Sequence, residues 1–169
     1  MKIGILSDSH TKTELHREVI AHLLSEEVEY LLHAGDIMHE KHLKMLEATK
    51  IPYACVYGNN DFALIPLQKK YNIFNEPHYL SIENLKIKMM HLPYFMTPDA
   101  DLIVYGHTHI FEASLTNDVL FINPGEVCAR EKPLSECAIV EVINGKFTVT
   151  HYYRELSQES WTKRQVDLE

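Results

Sequence analysis

Residues 2–10 read KIGILSDSH and residues 29–36 read EYLLHAGD; in each, an apolar run of strand length opens directly into a loop carrying Asp or His. A short apolar run bounded by polar turns is what a strand buried on both faces requires. Ile51 to Tyr57 repeats the arrangement and runs into Gly58-Asn59-Asn60-Asp61. Between the first two strands, Leu15, Val19, Ala21, Leu23 and Leu24 recur at helical spacing over Thr13 to Glu26, with Thr13 placed as the N-cap. A second helix is expected from Glu40 to Ala48. Three strand-to-loop junctions, each delivering Asp, His or Asn, are the way an α/β fold builds a site from its strand ends.

From His78 onward strands dominate: His78 to Ile82, Lys86 to His91, and Leu102 to Tyr105, the last ending in Gly106-His107-Thr108-His109. Ile110 to Leu115, Val119 to Ile122, Ala138 to Ile143 and Phe147 to Tyr152 follow, the final pair joined at Asn144-Gly145, a favoured type I′ hairpin turn. The expected fold class is α/β, a four-layer α/β/β/α sandwich with two stacked mixed sheets and the site at the strand ends. Residues 1–154 read as one domain and residues 155–169 as a tail, either docked as a terminal helix or partly disordered.

With 169 residues, 46% of them hydrophobic, the chain is long enough to bury a single core. A net charge of -8 and a pI near 5.7 argue against stable nucleic-acid binding, which needs clustered Lys and Arg. Cys55, Cys128 and Cys137 are odd in number and show no paired spacing, so each reads as a small buried apolar residue in a reducing compartment. The N-terminus lacks a signal-peptide core and no run approaches the ~20 apolar residues of a membrane span. Cytoplasmic localisation follows as an expectation, with no membrane association and a homo-oligomer left open.

Asp8, His10, Asp36, Asn59, His91, His107 and His109 all fall just past expected strands. These oxygen and nitrogen donors suit Mn²⁺, Fe²⁺ or Zn²⁺, and the absence of thiolates sets the group apart from structural zinc sites. Gly35, Gly58 and Gly106 precede members of the set and allow sharp turns. Any one histidine alone is more often packed or solvated than a ligand. His33 reads as packed or hydrogen-bonded, and His16, His22, His39, His42, His78 and His151 as solvated or structural. Asp61 either orients a ligand or caps Phe62 to Lys70, and Arg130 meets either a phosphate oxygen or a surface partner.

The ordered blocks Asp8-Ser9-His10, Gly35-Asp36, Gly58-Asn59-Asn60-Asp61, His91 and Gly106-His107-Thr108-His109, followed by Asn123-Pro124-Gly125, resemble the calcineurin-like metallophosphoesterase superfamily. Within it the short chain resembles the YfcE-type phosphodiesterase branch, to which the retromer subunit Vps29 is related. The resemblance implies that Asp8, His10 and His109 bind one divalent ion, that Asn59, His91 and His107 bind a second, and that Asp36 bridges them. It implies two ions per chain, Mn²⁺ favoured over Fe, Zn, Ni or Mg, and in-line attack on a small phosphate ester by a hydroxide shared between the metals.

Asp36, Asn59, Asn60 and His91 are the residues it places at the reacting centre. Asn60 stands where many members of the superfamily carry a leaving-group His, so activated aryl phosphodiesters are expected to react better than alkyl phosphates. Glu126 departs from the usual N-P-G-S loop and is expected to add a carboxylate near the site that disfavours highly anionic monoesters. A phosphodiesterase is the favoured reading. The alternatives are a phosphomonoesterase and a non-catalytic protein-binding scaffold of the Vps29 type.

Overall fold

The first apolar run forms strand β1 (Lys2–Leu6), followed by helix α1 (Thr13–Ser25), β2 (Tyr30–His33), α2 (Glu40–Ala48) and β3 (Tyr53–Val56) in a computed structural model that describes residues 1–168. A 3₁₀ segment, Phe62–Leu67, leads to the short β4 (Ile73–Phe74). The strand-rich half supplies β5 (His78–Ile82), β6 (Leu85–Met89), β7 (Leu102–Val104), β8 (Phe111–Thr116), β9 (Val119–Pro124), β10 (Leu134–Ile143), β11 (Lys146–Glu155) and β12 (Thr162–Val166). No helix among the described residues is long and apolar enough to cross a membrane.

Seven strands form one sheet in the order β12-β11-β10-β1-β2-β3-β4, and five form another in the order β5-β6-β7-β9-β8. Both are mixed, as expected. In the large sheet β1, β2, β3 and β4 are mutually parallel, with Ile5 opposite Leu32 and Leu32 opposite Ala54. In the small sheet β6, β7 and β9 are parallel. The β10–β11 hairpin turns at Asn144 and Gly145, both with positive φ, as a type I′ turn demands.

Strand alternation sorts the side chains into layers. Ile3, Ile5, Leu32, Val56 and Val140 of the large sheet face Ile87, Met89, Val104 and Ile122 of the small one across a dry core. On the outer face of the large sheet, Leu6, Leu31, Cys55 and Ile139 meet Val19, Ile20 and Leu23 of α1 and Leu43 and Leu46 of α2. Each such side chain stabilises the fold by roughly 1.5–3 kcal/mol through burial.

The outer face of the small sheet differs from the expected helical layer. Met90, Ala100, Ile103 and Tyr105 are covered there by irregular chain that includes Met96. Pro93 and Pro98 deny this segment an uninterrupted helix. Lys88, on the outward side of β6 and fully buried, anchors it instead: Nζ donates to Thr97 O (2.8 Å) and Thr97 Oγ1 (2.9 Å) and pairs with Asp99.

Two other expectations need correction. Thr13 is the first residue of α1 rather than its cap; Lys12 occupies the cap position without a side-chain bond. The tail forms neither a helix nor loose chain over 162–166 but adds β12 to the edge of the large sheet, pairing Val149 with Val166. Trp161 stacks on His22 at 4.6 Å beside it. Glu169 lies outside the described residues.

Both helices are fastened to the sheet by buried histidines. Ser9 Oγ lies 2.8 Å from both His16 Nδ1 and His33 Nε2, and His16 Nε2 lies 3.3 Å from His42 O. His42 Nδ1 is 2.7 Å from Ile37 O and its Nε2 is 3.1 Å from Thr13 Oγ1. One tautomer assignment satisfies the whole chain of bonds. His16 Nε2–H and His42 Nδ1–H must donate to carbonyls, so His16 Nδ1 accepts the Ser9 hydroxyl and Ser9 Oγ accepts from His33 Nε2–H. His33 Nδ1 is then a bare lone pair, in keeping with its lack of any partner. Burial drives these rings neutral, His16 down to about 3, His42 to about 4 and His33 well below its ordinary value.

Two outcomes follow. Lys88→Met should lower unfolding stability by about 1–3 kcal/mol through lost hydrogen bonds, and hydrogen exchange should show faster exchange over residues 92–100; unchanged protection there would remove Lys88 as the anchor. Because the buried rings stay neutral while the unfolded chain binds protons below pH ~6.5, native stability should be complete above that pH and fall as pH drops toward 4, by about 1.4 kcal/mol per pH unit per histidine. Urea titrations at several pH values should give a shallower slope for His16→Gln.

Candidate metal centre

Every expected site residue follows a parallel strand: Asp8 and His10 follow β1, Asp36 follows β2, Asn59 follows β3, His91 follows β6, and His107 and His109 follow β7. Since β1 to β3 lie stacked against β6 and β7, these loops meet at one end of the sandwich. A cleft of about 480 Å³ at the other end, beside Met1 and the β10–β11 turn, contains none of them.

The backbone turns sharply to achieve this. Five of the seven residues, Asp8, His10, Asp36, His107 and His109, have φ between 46° and 69°. The left-handed region is uncommon for side chains of this size and concentrates at functional sites. Hydrogen bonds from Asp8 N to Gly35 O (3.0 Å) and from His10 N to Asp36 O (2.9 Å) lock the first two loops together. Gly35 has φ +93°, whereas Gly58 is required for space: a Cβ there would lie 2.2 Å from Asp36 N and Oδ1.

The seven side chains form two groups joined through one carboxylate. In the first, His109 Nε2 lies 3.2 Å from Asp8 Oδ1 and 3.4 Å from His10 Nε2. In the second, Asn59 Oδ1 lies 3.0 Å from His91 Nε2 and 3.1 Å from His107 Nδ1. Asp36 Oδ2 stands between them, 3.6 Å from His10 Nε2 and 3.6 Å from His91 Nε2. Asp8, His10, Asp36, His91 and His109 are buried, whereas Asn59, Asn60 and His107 are exposed, so the centre opens to solvent on the side of the second group.

Partners behind the donors aim them inward. Asp8 Oδ2 accepts from Ser7 Oγ (2.7 Å) and His107 N (3.1 Å), which leaves Oδ1 buried without an aligned hydrogen-bond donor. Burial opposes ionisation of Asp8, but His109, His91 and the Ser7 hydroxyl outweigh it and hold its carboxyl below the ordinary value. His91 Nδ1 donates to Ala34 O at 2.8 Å, which turns its Nε2 lone pair toward Asp36 and Asn59.

Burial also opposes charge on His109, yet the flanking Asp8, Cys128 and Glu126 push its pKa up to about 11. Carboxylates therefore flank both nitrogens of this ring, Glu126 at Nδ1 and Asp8 at Nε2, where the Arg130 guanidinium also approaches. Asp8, Asp36 and His91 offer ligand atoms within 4.8 Å of one another, as do His10, His109 and Cys128. A buried carboxylate oxygen without a donor, among converging imidazole nitrogens, is a donor set that fits divalent metal ions.

Four further residues find their partners around the centre. Asn60 donates both its backbone N–H to Asp36 Oδ1 (2.9 Å) and its amide to Asp36 Oδ2 (2.7 Å), so its side chain holds the central carboxylate. Asp61 makes no capping bond; it accepts from Met38 N (2.6 Å) and Gly58 N (2.7 Å), tying the loops after β2 and β3 together. Glu126 is fully buried and turned toward His109, so it is not a carboxylate facing substrate. Cys128 is buried, as expected, and its thiol donates to Glu126 Oε2 at 3.2 Å.

Arg130 reaches the centre, with Nη2 3.1 Å from His109 Nε2. Sequence reading also missed Glu76, whose Oε2 accepts from His91 N and Leu92 N (2.9 Å). His16 takes the structural one of its two expected roles, sharing the buried stripe of α1 with Val19, Ile20 and Leu23.

The profile of the calcineurin-like phosphoesterase superfamily domain matches residues 1–145. Phosphodiesterase MJ0936 of Methanocaldococcus jannaschii is 32% identical over 144 residues, covering 76% of this chain and 85% of that protein. The solved structure of an archaeal phosphodiesterase superposes with a TM-score of 0.73 at 25% identity, covering 98% of this chain and 100% of the other. Vps29 of Entamoeba histolytica, complexed with zinc, matches in fold with a TM-score of 0.74 at 20% identity over 99% of both chains. On the strength of a profile spanning both sheets and a 32%-identical relative covering three quarters of the chain, the chain belongs to the calcineurin-like phosphoesterase superfamily, in its small YfcE-type branch.

Proposed function

We propose that the protein is a dinuclear metal-dependent phosphoesterase that hydrolyses a phosphodiester. The observation that carries this reading is the position of Asp36 Oδ2, 3.6 Å from an imidazole nitrogen of each group. Asp8, His10 and His109 would hold one divalent ion, Asn59, His91 and His107 the other, and Asp36 both. Two dications a few ångströms apart need an anion between them. Manganese is the favoured metal, with iron, zinc, nickel or magnesium also compatible with oxygen and nitrogen donors. When bound, such a pair supplies Lewis-acid stabilisation of phosphate oxygens and lowers the pKa of an attacking water from ~15.7 toward ~7.

The chain's own residues set what can react. Asn60 has its amide committed to Asp36 and, unlike an imidazolium, holds no proton to give a leaving group. Leaving groups that depart as stable anions are therefore favoured. Phe62 and Tyr94, 76% and 75% exposed, lie within three residues of Asn59 and His91 and suit an aromatic group beside the centre. Arg130 brings a guanidinium to the first group, where it can donate to a phosphate oxygen.

The preference for diesters over monoesters follows the 32%-identical archaeal phosphodiesterase and not Glu126, which is turned toward His109. A protein-binding scaffold would not require a complete donor set, and none of the seven positions has been lost.

Metal analysis of the wild type loaded with Mn²⁺ should find two ions per chain, and Asp36→Asn should lose at least one of them. Its turnover should fall by more than the ~10–100-fold typical of outer partners; full activity with both ions retained would refute the central role of Asp36. Bis-p-nitrophenyl phosphate should be hydrolysed far faster than a dialkyl phosphate and faster than p-nitrophenyl phosphate. Asn60→His should raise the alkyl rate relative to the aryl rate, up to the ~10²–10⁴-fold range of a general acid. Equal alkyl and aryl rates in the wild type would overturn the leaving-group argument.

A further inference from the structure

Glu126 is a buried ionisable side chain beside the centre that the reaction above leaves without a task. It sits two residues beyond β9 with no solvent exposure, and its carboxylate is fully engaged. Oε1 accepts the backbone N–H groups of Glu131 (2.8 Å) and Lys132 (2.9 Å). Oε2 lies 2.6 Å from His109 Nδ1 and accepts the Cys128 thiol at 3.2 Å. Four donors from four residues leave this carboxylate no freedom to rotate.

The corresponding histidine of the second group is backed differently. His91 Nδ1 meets a neutral acceptor, the Ala34 carbonyl. A carboxylate behind an imidazole fixes ring orientation and raises the basicity of the far nitrogen more than a carbonyl does, and such partners alter metal affinity by ~10–100-fold. The two halves differ in enclosure as well, since Asp8, His10 and His109 are all buried, whereas in the second group only His91 is buried and Asn59 and His107 are exposed.

We propose that Glu126 is a positioning residue for His109 that makes the two metal positions unequal, with the ion held by Asp8, His10 and His109 bound more tightly than the ion held by Asn59, His91 and His107. This rests on the dinuclear reading given above. It makes the protein a one-ion species at low metal concentration and places loading of the exposed position under the control of available metal.

Calorimetric titration of the metal-free full chain with Mn²⁺ tests it. The wild type should bind in two resolved steps, and Glu126→Gln, which keeps shape but removes charge, should weaken the tighter step by ~10–100-fold and leave the weaker step unchanged. Glu126→Asp, which keeps the charge on a shorter arm, should recover part of the loss. Absence of any Mn²⁺ binding by the wild type would sink the dinuclear reading itself. Two wild-type steps that Glu126→Gln leaves intact, or weakens equally, would sink the role of Glu126 alone.

Should the variant not fold, NMR of the zinc-loaded wild type decides. His109 should show a slowly exchanging, strongly downfield Nδ1 proton, and a His109 ring bare at Nδ1 overturns the proposal.

Discussion

Everything at the site depends on the parallel alignment of β1, β2 and β3 against β6, β7 and β9. Parallel strands deliver their carboxyl ends to the same edge, so loops far apart in the chain arrive side by side without long excursions. The chain must then turn abruptly, and it does so through left-handed backbone at Asp8, His10, Asp36, His107 and His109. At about 1–3 kcal/mol each, such conformations persist only where surrounding structure over-determines them. Here the surroundings are the dry core between the sheets on one side and the helix-covered core on the other.

Local strain and buried polarity are linked. The loop after β1 is pinned through Ser9 to His33 of β2 and His16 of α1, and α2 reaches the same network through His42. Asp61 and Asn60 perform the equivalent task for the loop after β3, the first accepting the Met38 backbone N–H on its carboxylate and the second binding Asp36 directly. Neutral histidines serve the helix side, where burial disfavours charge, and carboxylates serve the rim, where backbone N–H groups satisfy them. The donors at the centre are thus held from behind, so little reorganisation is needed to receive a cation.

The small sheet shows how packing can be completed without regular structure. Lys88 lies where strand alternation would place an apolar residue against a helix, and Pro93 and Pro98 interrupt any helix in the covering segment. A buried ammonium bound to Thr97 fastens an irregular strap that leads directly from His91 toward β7. The same economy of chain leaves no cap over the site, and its exposed side coincides with Asn59, Asn60 and His107.

By itself the sequence determined the strand-to-loop junctions, both long helices and the type I′ hairpin, and it singled out the seven candidate residues that the fold gathers, because each is a local matter of hydrophobic period, turn chemistry or residue type next to a strand end. Two stacked mixed sheets were likewise legible from alternating β/α units giving way to successive strands. Hidden were β4 and β12, whose few residues become strands only because a sheet edge awaits them, and the missing outer helix, which depends on Lys88 finding Thr97 and Asp99. Tertiary structure alone decided the orientation of side chains: Glu126 turned inward to His109, Asn60 onto Asp36, and Arg130 into the centre. The physical reason is that residue type states which bonds a group can make, whereas only the folded arrangement brings a partner within hydrogen-bonding distance and burial makes that bond obligatory.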